Sequence, residues 1–287
     1  MKKNYDMLTT QEKQNIIDLF YEGKSKKEII TIANITTRTY PLVFKEYNIN
    51  TKRKNKYTLN ERYFENIDTE EKAYILGLIA SDGCVTDTNY FAITSTDYDI
   101  LQIIKKELEY TGEIYIPQRD NNDNWNTAYR INFSSKILCQ SLKQYGIYPN
   151  KSLTYKDMPN MNSDLMRHYI RGYFDGDGSL WKSTCTSNYK YHYDRWTLSI
   201  IATENKCYNL QQYFKDAINE KGHISNSKTL EMKYIKFDSR RALTKIYNLL
   251  YTNATCYMNR KHDKWLEFMG SHEEKSSLEK QGELLGG

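Results

Sequence analysis

The 287-residue chain is poor in the residues that build disulfide frameworks and zinc sites, with five cysteines and five histidines. The cysteines are scattered, odd in number and include no Cys-x-x-Cys pair, which indicates reduced thiols and excludes a disulfide scaffold. The histidines are equally dispersed, so neither a zinc site nor a histidine-based catalytic site is indicated. No window approaches the apolar length that spans a bilayer, and the N-terminus has no apolar signal region. We therefore expect an intracellular protein, cytoplasmic or of organellar or phage origin, with no membrane partner.

Strong net charge is also absent, because the chain carries only +5. The excess lies at the front, where residues 1–62 hold 13 Lys and Arg against 7 Asp and Glu. A basic segment of this kind favours contact with nucleic acid.

What the chain does have is one pattern written twice, at Tyr74–Gly83 (YILGLIASDG) and at Tyr169–Gly178 (YIRGYFDGDG). Each copy is an apolar helical run with a glycine on one face, and each ends on an aspartate followed by glycine. An acid in the last helical turn meets the negative end of the helix dipole, which costs from a few tenths to about 1 kcal/mol. Its occurrence in two matching contexts suggests a compensating cation.

The interior glycines of the two copies, Gly77 and Gly172, indicate that the two helices pack together. A glycine inside a helix costs about 1 kcal/mol relative to alanine unless another group must approach closely. Packed side by side, the helices would bring Asp82 and Asp177 together at their C-terminal ends. Two like charges at close range repel unless divalent metals lie between them. The residues alone thus predict a carboxylate pair that holds hard cations.

Both segments resemble the signature of the LAGLIDADG homing endonucleases, and the second is a close match. The first departs from it, since Ala80 and Ser81 stand where the pattern has an acid and then a small residue. The last acid of the signature, which carries the chemistry in the family, maps to Asp82 and Asp177. The resemblance covers residues 60–268.

The order of elements after each copy predicts an α+β fold of pseudo-symmetric tandem αββαββα repeats, with two antiparallel sheets that form a DNA-binding saddle. The predicted strands cover residues 90–94, 113–116, 129–133, 196–200, 222–224 and 232–237. The predicted helices between them cover residues 99–108, 137–142, 209–217 and 243–250. We place the first half at 61–158, the second at 159–269, and a disordered tail at 270–287.

Alternation along these strands suggests which side chains face DNA. The predicted outward set is Arg130, Asn132, Lys233 and Lys236, with Tyr129 and Tyr234 as aromatic neighbours. The alternative is that these are ordinary solvated sheet faces, and an error of one residue in register would invert each assignment.

Residues 1–47 form a predicted all-α domain with capping boxes at Thr9–Glu12 and Ser25–Glu28. A third predicted helix runs from Thr36 to Tyr47, although Pro41 is suited only to a first helical turn. The layout resembles the helix-turn-helix of resolvase-like binders, which implies DNA contacts by Thr37, Arg38 and Tyr40. The alternative is a small helical cap with a solvated basic face.

The basic linker at 48–60 includes Lys52, Arg53 and Lys54, which we expect to track phosphates or enter a minor groove. A plain tether fits the same residues.

Two lysines, Lys151 and Lys261, occupy the same place near the end of each half. In the family such residues approach the cleavage centre, where a cation stabilises the phosphorane or positions the attacking water. The alternative for each is a surface lysine in a loop.

The resemblance implies metal-assisted phosphodiester hydrolysis, with Mg²⁺ held by Asp82, Gly83, Asp177 and Gly178. Mn²⁺ or Ca²⁺ would substitute in binding. The expected product is a double-strand break with short 3′ overhangs in a long, asymmetric DNA target. Two dissimilar copies in one chain predict a monomer without a protein partner, and the family implies a mobile element such as an intron. The alternatives are an RNA maturase and a transcription regulator of the same fold.

Overall fold

A computed structural model describes residues 2–51, 57–117, 126–151, 158–187, 191–228 and 232–271. The chain forms two compact units, Met1–Lys56 and Tyr57–Gly287, which are described separately. Among the described residues, no helix has both the length and the apolar character needed to cross a membrane.

The first unit is a small helical domain. A 3₁₀ turn at Tyr5–Met7 is followed by α1 (Thr10–Tyr21), α2 (Lys26–Ile32) and α3 (Thr39–Glu46). Both predicted capping boxes are present, with the Thr9 and Ser25 hydroxyls each accepting from the backbone N–H three residues later. The core of this unit consists of Ile16, Ile17, Ile29, Ile30, Ile35, Tyr40, Val43 and Phe44.

The third helix differs from its prediction in two respects. It begins at Thr39 rather than Thr36, which places Pro41 in its first turn, where no backbone donor is needed. The Tyr40 ring is buried and packs against Phe44, with centroids 4.7 Å apart. The prediction that Tyr40 faces DNA is therefore wrong, because its ring belongs to the core. Thr37 and Arg38 are exposed.

The second unit contains both motif copies. Its first half runs α4 (Glu70–Asp82), β1 (Gly83–Val85), β2 (Tyr90–Ser95), α5 (Tyr98–Glu107), β3 (Tyr129–Ser134) and α6 (Lys136–Gln144). Its second half runs α7 (Ser163–Asp177), β4 (Gly178–Ser187), β5 (Tyr191–Thr203), α8 (Glu204–Ile218), β6 (His223–Asn226), β7 (Met232–Phe237), α9 (Arg240–Tyr251) and α10 over residues 259–271.

The strands form two antiparallel sheets, in the orders β1-β2-β3 and β4-β5-β7-β6. This confirms the predicted fold class, and the second half has the full αββαββα order. The predicted strand at 113–116 is wrong, since within the described part of the first half it is reduced to an isolated bridge between Tyr115 and Arg130. The predicted tail began at Gly270, but Gly270 and Ser271 end α10, and the rest lies outside the described residues.

Each motif helix leads directly into a strand that the sequence analysis missed. Gly83 and Gly178 are the C-caps of α4 and α7, and both have extended backbone that starts β1 and β4. A Cβ on Gly83 would lie 2.7 Å from the carbonyl oxygen of Ile79, and one on Gly178 would lie 2.5 Å from that of Phe174. Glycine is therefore required by close approach to the last helical turn, and not by a left-handed conformation.

Candidate functional site

The site is built where the two motif helices, α4 and α7, touch along their backbones. A Cβ on Gly77 would lie 2.1 Å from the carbonyl oxygen of Tyr169, and one on Gly172 would lie 2.0 Å from that of Tyr74. Contacts this short leave no room for any side chain at either position. The prediction that these glycines let the two helices meet is confirmed.

The same contact brings the carboxyl ends of the helices together. A Cβ on Gly176 would lie 1.9 Å from the Ser81 hydroxyl oxygen and 3.1 Å from Asp82 Oδ2. The last residue of each helix is an aspartate, and Asp82 is exposed while Asp177 is half-buried. The two carboxylates therefore lie on one floor at the ends of α4 and α7.

The two carboxylates are electrostatically unfavourable as they stand. Desolvation by neighbouring groups, and then the charge of Asp177, raise the pKa of Asp82 to about 6. Water still reaches part of this side chain. Burial also raises the pKa of Asp177, and this shift is opposed by Lys151 and, less strongly, by Lys206 and Lys261. A cation bound between two such groups would relieve both shifts.

Both predicted lysines lie at this floor. Lys151 is buried, and its ammonium donates to the carbonyl oxygens of Ala80 at 2.9 Å and Ser81 at 2.5 Å. Lys261 is half-buried, and its ammonium donates to the carbonyl oxygen of Gly178. Burial lowers the pKa of each lysine, while nearby aspartates, Asp82 among them, act in the opposite direction. Each lysine thus contacts the backbone at the end of a motif helix.

A third lysine, Lys206, was missed by the sequence analysis. It lies near the start of α8 and is 1% exposed. Its ammonium donates to the Tyr169 hydroxyl at 2.9 Å and lies 3.7 Å from the centroid of the Tyr173 ring. Burial lowers its pKa strongly, and the charge of Asp177 opposes this. A lysine in a first helical turn is usually solvated, so only the fold could identify it as buried.

Asp175 was also missed, because its position in the signature is not that of the metal ligand in the family. It is fully buried and accepts three hydrogen bonds, from the hydroxyls of Tyr74 at 2.7 Å and Tyr251 at 2.6 Å and from the backbone N–H of Met258 at 2.8 Å. Burial raises its pKa, and the three donors oppose that shift. The carboxylate thus joins α4, α9 and the start of α10 to α7.

The described residues offer a metal ion a small set of hard oxygen ligands. No group of three or more His, Cys, Asp or Glu side chains comes together among them. Asp82 and Asp177 are therefore the carboxylates available, with the carbonyl groups of Gly83 and Gly178 beside them. The Gly178 oxygen already accepts from Lys261. Two carboxylates with the remaining positions left for water or phosphate suit Mg²⁺, which usually binds through one or two carboxylates.

The outward faces of the sheets carry only part of the predicted contact set. Arg130 and Asn132 share the outward face of β3, and Arg130 Nε is buried without an acceptor among the described residues. Asn132 donates to the Tyr90 hydroxyl at 2.8 Å. Tyr129, the predicted aromatic neighbour of this set, lies on the opposite face, beside Tyr98 of α5.

Lys236 and Tyr234 face outward from β7, with the ammonium 5.1 Å from the ring centroid. Lys233 shares the inward face with the buried Ile235, because residues two apart on a strand point to the same side. Lys233 therefore points away from the face that carries Lys236. Its ammonium bonds to Asn226 at 2.6 Å and lies 3.9 Å from Glu204. The predicted outward position of Lys233 is wrong. The predicted linker contacts, Lys52, Arg53 and Lys54, lie outside the described residues.

Comparison with known proteins bears directly on the motif-containing unit. Residues 69–145 match the family model of the LAGLIDADG-like domain. A segment of 108 residues is 32% identical to the DNA-directed RNA polymerase subunit Rpo1C of Methanocaldococcus jannaschii, covering 37% of this chain and 12% of that protein. Another of 132 residues is 30% identical to an uncharacterized protein of the same organism, covering 44% and 47%. The matched segments span less than half the length of either relative.

Solved structures show the same fold. Meganuclease I-SmaMI bound to uncleavable DNA superposes with a TM-score of 0.53 at 13% identity, covering 76% of this chain and 94% of that one. The LAGLIDADG homing endonuclease I-LtrWI bound to its target DNA gives 0.51 at 14% identity, covering 76% and 92%. I-SmaMI with an uncleaved DNA target and calcium ions gives 0.53 at 12% identity, covering 74% and 94%. Residues 69–145 therefore resemble a LAGLIDADG-like domain, and the chain has the fold of the LAGLIDADG meganucleases, as its motifs predicted.

Proposed function

We propose that this protein is a site-specific homing endonuclease that makes a double-strand break in a long, asymmetric DNA target. The observation that carries the proposal is the meeting of Asp82 and Asp177 at the ends of two touching helices, with Lys151 and Lys261 at the same floor. A binding protein needs no such carboxylate pair, because acids repel the phosphates that it must approach. Carboxylates placed in this way serve a nuclease once a cation neutralises them.

Asp82 and Asp177 are the residues that would hold Mg²⁺, with the carbonyl groups of Gly83 and Gly178 beside them. When bound, the metal supplies a lowered pKa for coordinated water and charge neutralisation at the scissile phosphates. The raised pKa values of both carboxyl groups support this assignment, since burial raises both and a bound cation would offset that cost. Calcium in the structure of I-SmaMI with an uncleaved target is consistent with a divalent site in this fold.

The lysines supply positive charge where negative charge develops during cleavage. Lys151 and Lys261 are fixed by backbone carbonyls, so their positions are set before DNA arrives. A fixed ammonium near a scissile phosphate stabilises the phosphorane without reorganisation. Lys206 also lies beside Asp177, where burial lowers the pKa of its ammonium strongly.

The two sheets would lie along the duplex, with Arg130, Asn132, Tyr234 and Lys236 towards it. Arg130 supports a role in base recognition, because its Nε has no acceptor among the described residues and an arginine on a sheet face can bond a guanine edge. Since the two sheets differ in side chains and, among the described residues, in strand number, the target has no reason to be palindromic. A monomer would cut both strands, and the family resemblance suggests 3′ overhangs and an intron or other mobile element as its source.

The N-terminal unit would add DNA contacts of its own. Thr37 and Arg38 are exposed just before α3, as a helix-turn-helix reader requires. Removal of residues 1–56 should therefore weaken DNA binding and shorten the bound site while cleavage chemistry is retained.

The test is cleavage of a randomised plasmid library by the full chain in Mg²⁺, followed by sequencing of the new ends. We expect one long asymmetric site with short 3′ overhangs, and no cleavage in EDTA. Tight binding without cleavage in either Mg²⁺ or Mn²⁺ would contradict the proposal and favour the regulator or maturase alternatives.

A further inference from the structure

The two lysines at the floor are held in different ways. Lys151 follows Asn150, which has φ +60°. The Lys151 ammonium donates two hydrogen bonds, to the carbonyl oxygens of Ala80 and Ser81. Lys261 lies in the first turn of α10 and makes one such bond, to Gly178. A lysine with one bond to the floor depends more on the backbone that carries it.

That backbone is anchored from two sides. Asp175 accepts the N–H of Met258, directly before α10, and Lys261 N–H bonds in turn to the Met258 carbonyl at 2.9 Å. Arg260 makes a two-point ion pair with Asp97 of the first half, with Nε to Oδ1 at 3.1 Å and Nη2 to Oδ2 at 3.0 Å. Negative groups at the N-terminus of α10 also accept hydrogen bonds from unpaired N–H groups and interact favourably with the helix dipole.

At the two positions that match Asp175 and Asp97, which the structure describes, the other half has different residues. Gly83 pairs with Ile93 and Gly178 with Ile200, so Asp97 and Glu204 are matched positions, each four residues further on. Glu204 is exposed, and its carboxylate makes a long contact of 3.9 Å with the ammonium of Lys233. The position that matches Asp175, three residues after the helix glycine, is Ala80.

We propose that Asp175 and Asp97 are positioning residues that hold Lys261 at the cleavage floor, whereas Lys151 is positioned by its own ammonium bonds. Loosening either anchor should therefore displace Lys261 and leave the position of Lys151 unchanged. The consequence for DNA rests on the proposed function: the strand served by Lys261 should slow selectively, and the protein should become a nicking enzyme.

The positioning is tested without DNA by competitive acetylation with acetic anhydride and mass spectrometry of the peptides that contain Lys261 and Lys151. Arg260→Gln and Asp97→Asn both break the ion pair but change the local charge in opposite directions. Charge alone would lower Lys261 labelling in Arg260→Gln, because loss of a neighbouring cation raises the lysine pKa. Loosening raises labelling in both variants.

We expect Lys261 labelling to rise about threefold in both variants, with Lys151 unchanged, as local opening exposes the ammonium. Glu204→Gln, at the matched position in the second half, should change neither lysine. A rise in Asp97→Asn with a fall or no change in Arg260→Gln would overturn the proposal, because only charge would then be acting.

Asp175→Ala copies the residue of the first half, and Asp175→Asn is its conservative counterpart. The asparagine can accept from Met258 with its oxygen while its amide donates to Tyr251, so it should restore Lys261 protection that alanine loses. If Asp175→Ala does not fold, the ion-pair variants decide the question by themselves.

Strand-specific cleavage of the recovered site is the second readout. Lys261→Ala identifies the DNA strand whose cleavage depends on Lys261, as the strand that this variant slows more. Arg260→Gln should slow cleavage of that same strand by about tenfold, because a small misplacement of a catalytic group is costly. The other strand should change less than about twofold. Equal slowing of both strands would overturn the proposal, whereas failure of the wild type to cut any DNA would overturn the proposed function and leave the labelling result standing.

Discussion

The two motif helices end in the same pair of residues but are supported by opposite kinds of surroundings. In α7 the matched positions hold Arg171 and Asp175, both fully buried, where α4 has Leu76 and Ala80. The duplicated features are those the shared site requires: a glycine where the helices touch and an aspartate where they end. The buried supports around them have diverged, at Leu76 against Arg171 and at Ala80 against Asp175. The difference shows that one centre can be built on an apolar support and on a buried polar network.

The network around Arg171 illustrates the polar solution. Its guanidinium donates to the carbonyl oxygens of Cys256 at 3.0 Å and Leu250 at 2.8 Å and to Glu70 Oε1 at 2.7 Å. Glu70 is the first residue of α4 and also accepts the N–H of Thr255. The second motif helix is therefore tied to the start of the first helix and to the segment before α10.

The largest effect should come from the shared carboxylates. Asp82→Asn and Asp177→Asn each remove one charge from the floor, and each should lower the rate of cleavage of the recovered site by at least about 10³-fold. DNA binding should persist or tighten, because a repulsive charge is gone. Asp87→Asn, an exposed residue after β1, is the matched control. Normal cleavage by either floor variant would contradict the shared centre.

The buried network should be next in size. Arg171→Leu installs the residue that α4 has at the matched position and should destabilise the protein by about 3–5 kcal/mol, because Glu70 and two carbonyls lose their donor. Urea unfolding measures this cost, and Glu70→Gln should recover part of it in the Arg171→Leu background.

Leu76→Met is the control for the apolar side and should cost under about 1.5 kcal/mol. An Arg171→Leu protein within 1 kcal/mol of wild type would show that the network adds little to stability.

The helix contact itself should be equally sensitive from both sides. Gly77→Ala and Gly172→Ala each place a Cβ about 2 Å from a backbone oxygen of the other helix. Each should destabilise by about 3 kcal/mol, since backbone cannot move aside as a side chain can.

Gly270→Ala is the control for the glycine variants, because a Cβ there meets nothing within 4 Å. It should be neutral or stabilise by up to about 1 kcal/mol. A large difference between the two interior variants would show that the helix contact is not symmetric.

The smallest effect should be a dependence of stability on pH that arises in the second half. Burial, and then the charge of Arg171, lower the pKa of His168 to about 4. The unfolded chain therefore binds more protons than the folded one between pH 6.5 and 4, so the free energy of unfolding falls as pH is lowered through this window.

Urea midpoints at pH 7, 6, 5 and 4.5 measure this fall, and His168→Gln should flatten it. The pKa of Glu70 is also lowered, by the Thr255 N–H and Arg171 against the effect of burial, so its contribution is lost at still lower pH. An unchanged slope in His168→Gln would assign the acid sensitivity elsewhere.

The parts of this structure that follow a local rule could be predicted from the sequence. Capping boxes located α1 and α2, alternation located β7, and the interior glycines predicted the helix contact. The strands after Gly83 and Gly178 escaped because a glycine after an apolar helix indicates a left-handed cap, whereas here it allows an extended turn.

The polar groups around the site could not be predicted, because their partners lie far away in the chain. Asp175 is bonded to residues 74, 251 and 258, and Arg171 to residues 70, 250 and 256. No spacing or periodicity encodes such contacts. Lys233 shows the opposite failure, since an outward face was assigned to a residue whose neighbours on the strand, Ile235 and Phe237, fix it inward.

The most direct test of the account is the position of the metal. The protein should be crystallised with its recovered target in Mn²⁺, and the ion located from its anomalous scattering. We predict a peak bonded to carboxylate oxygens of both Asp82 and Asp177. A DNA complex with Mn²⁺ bound only elsewhere, or by neither aspartate, would contradict the claim that the two motif copies build one metal-dependent centre.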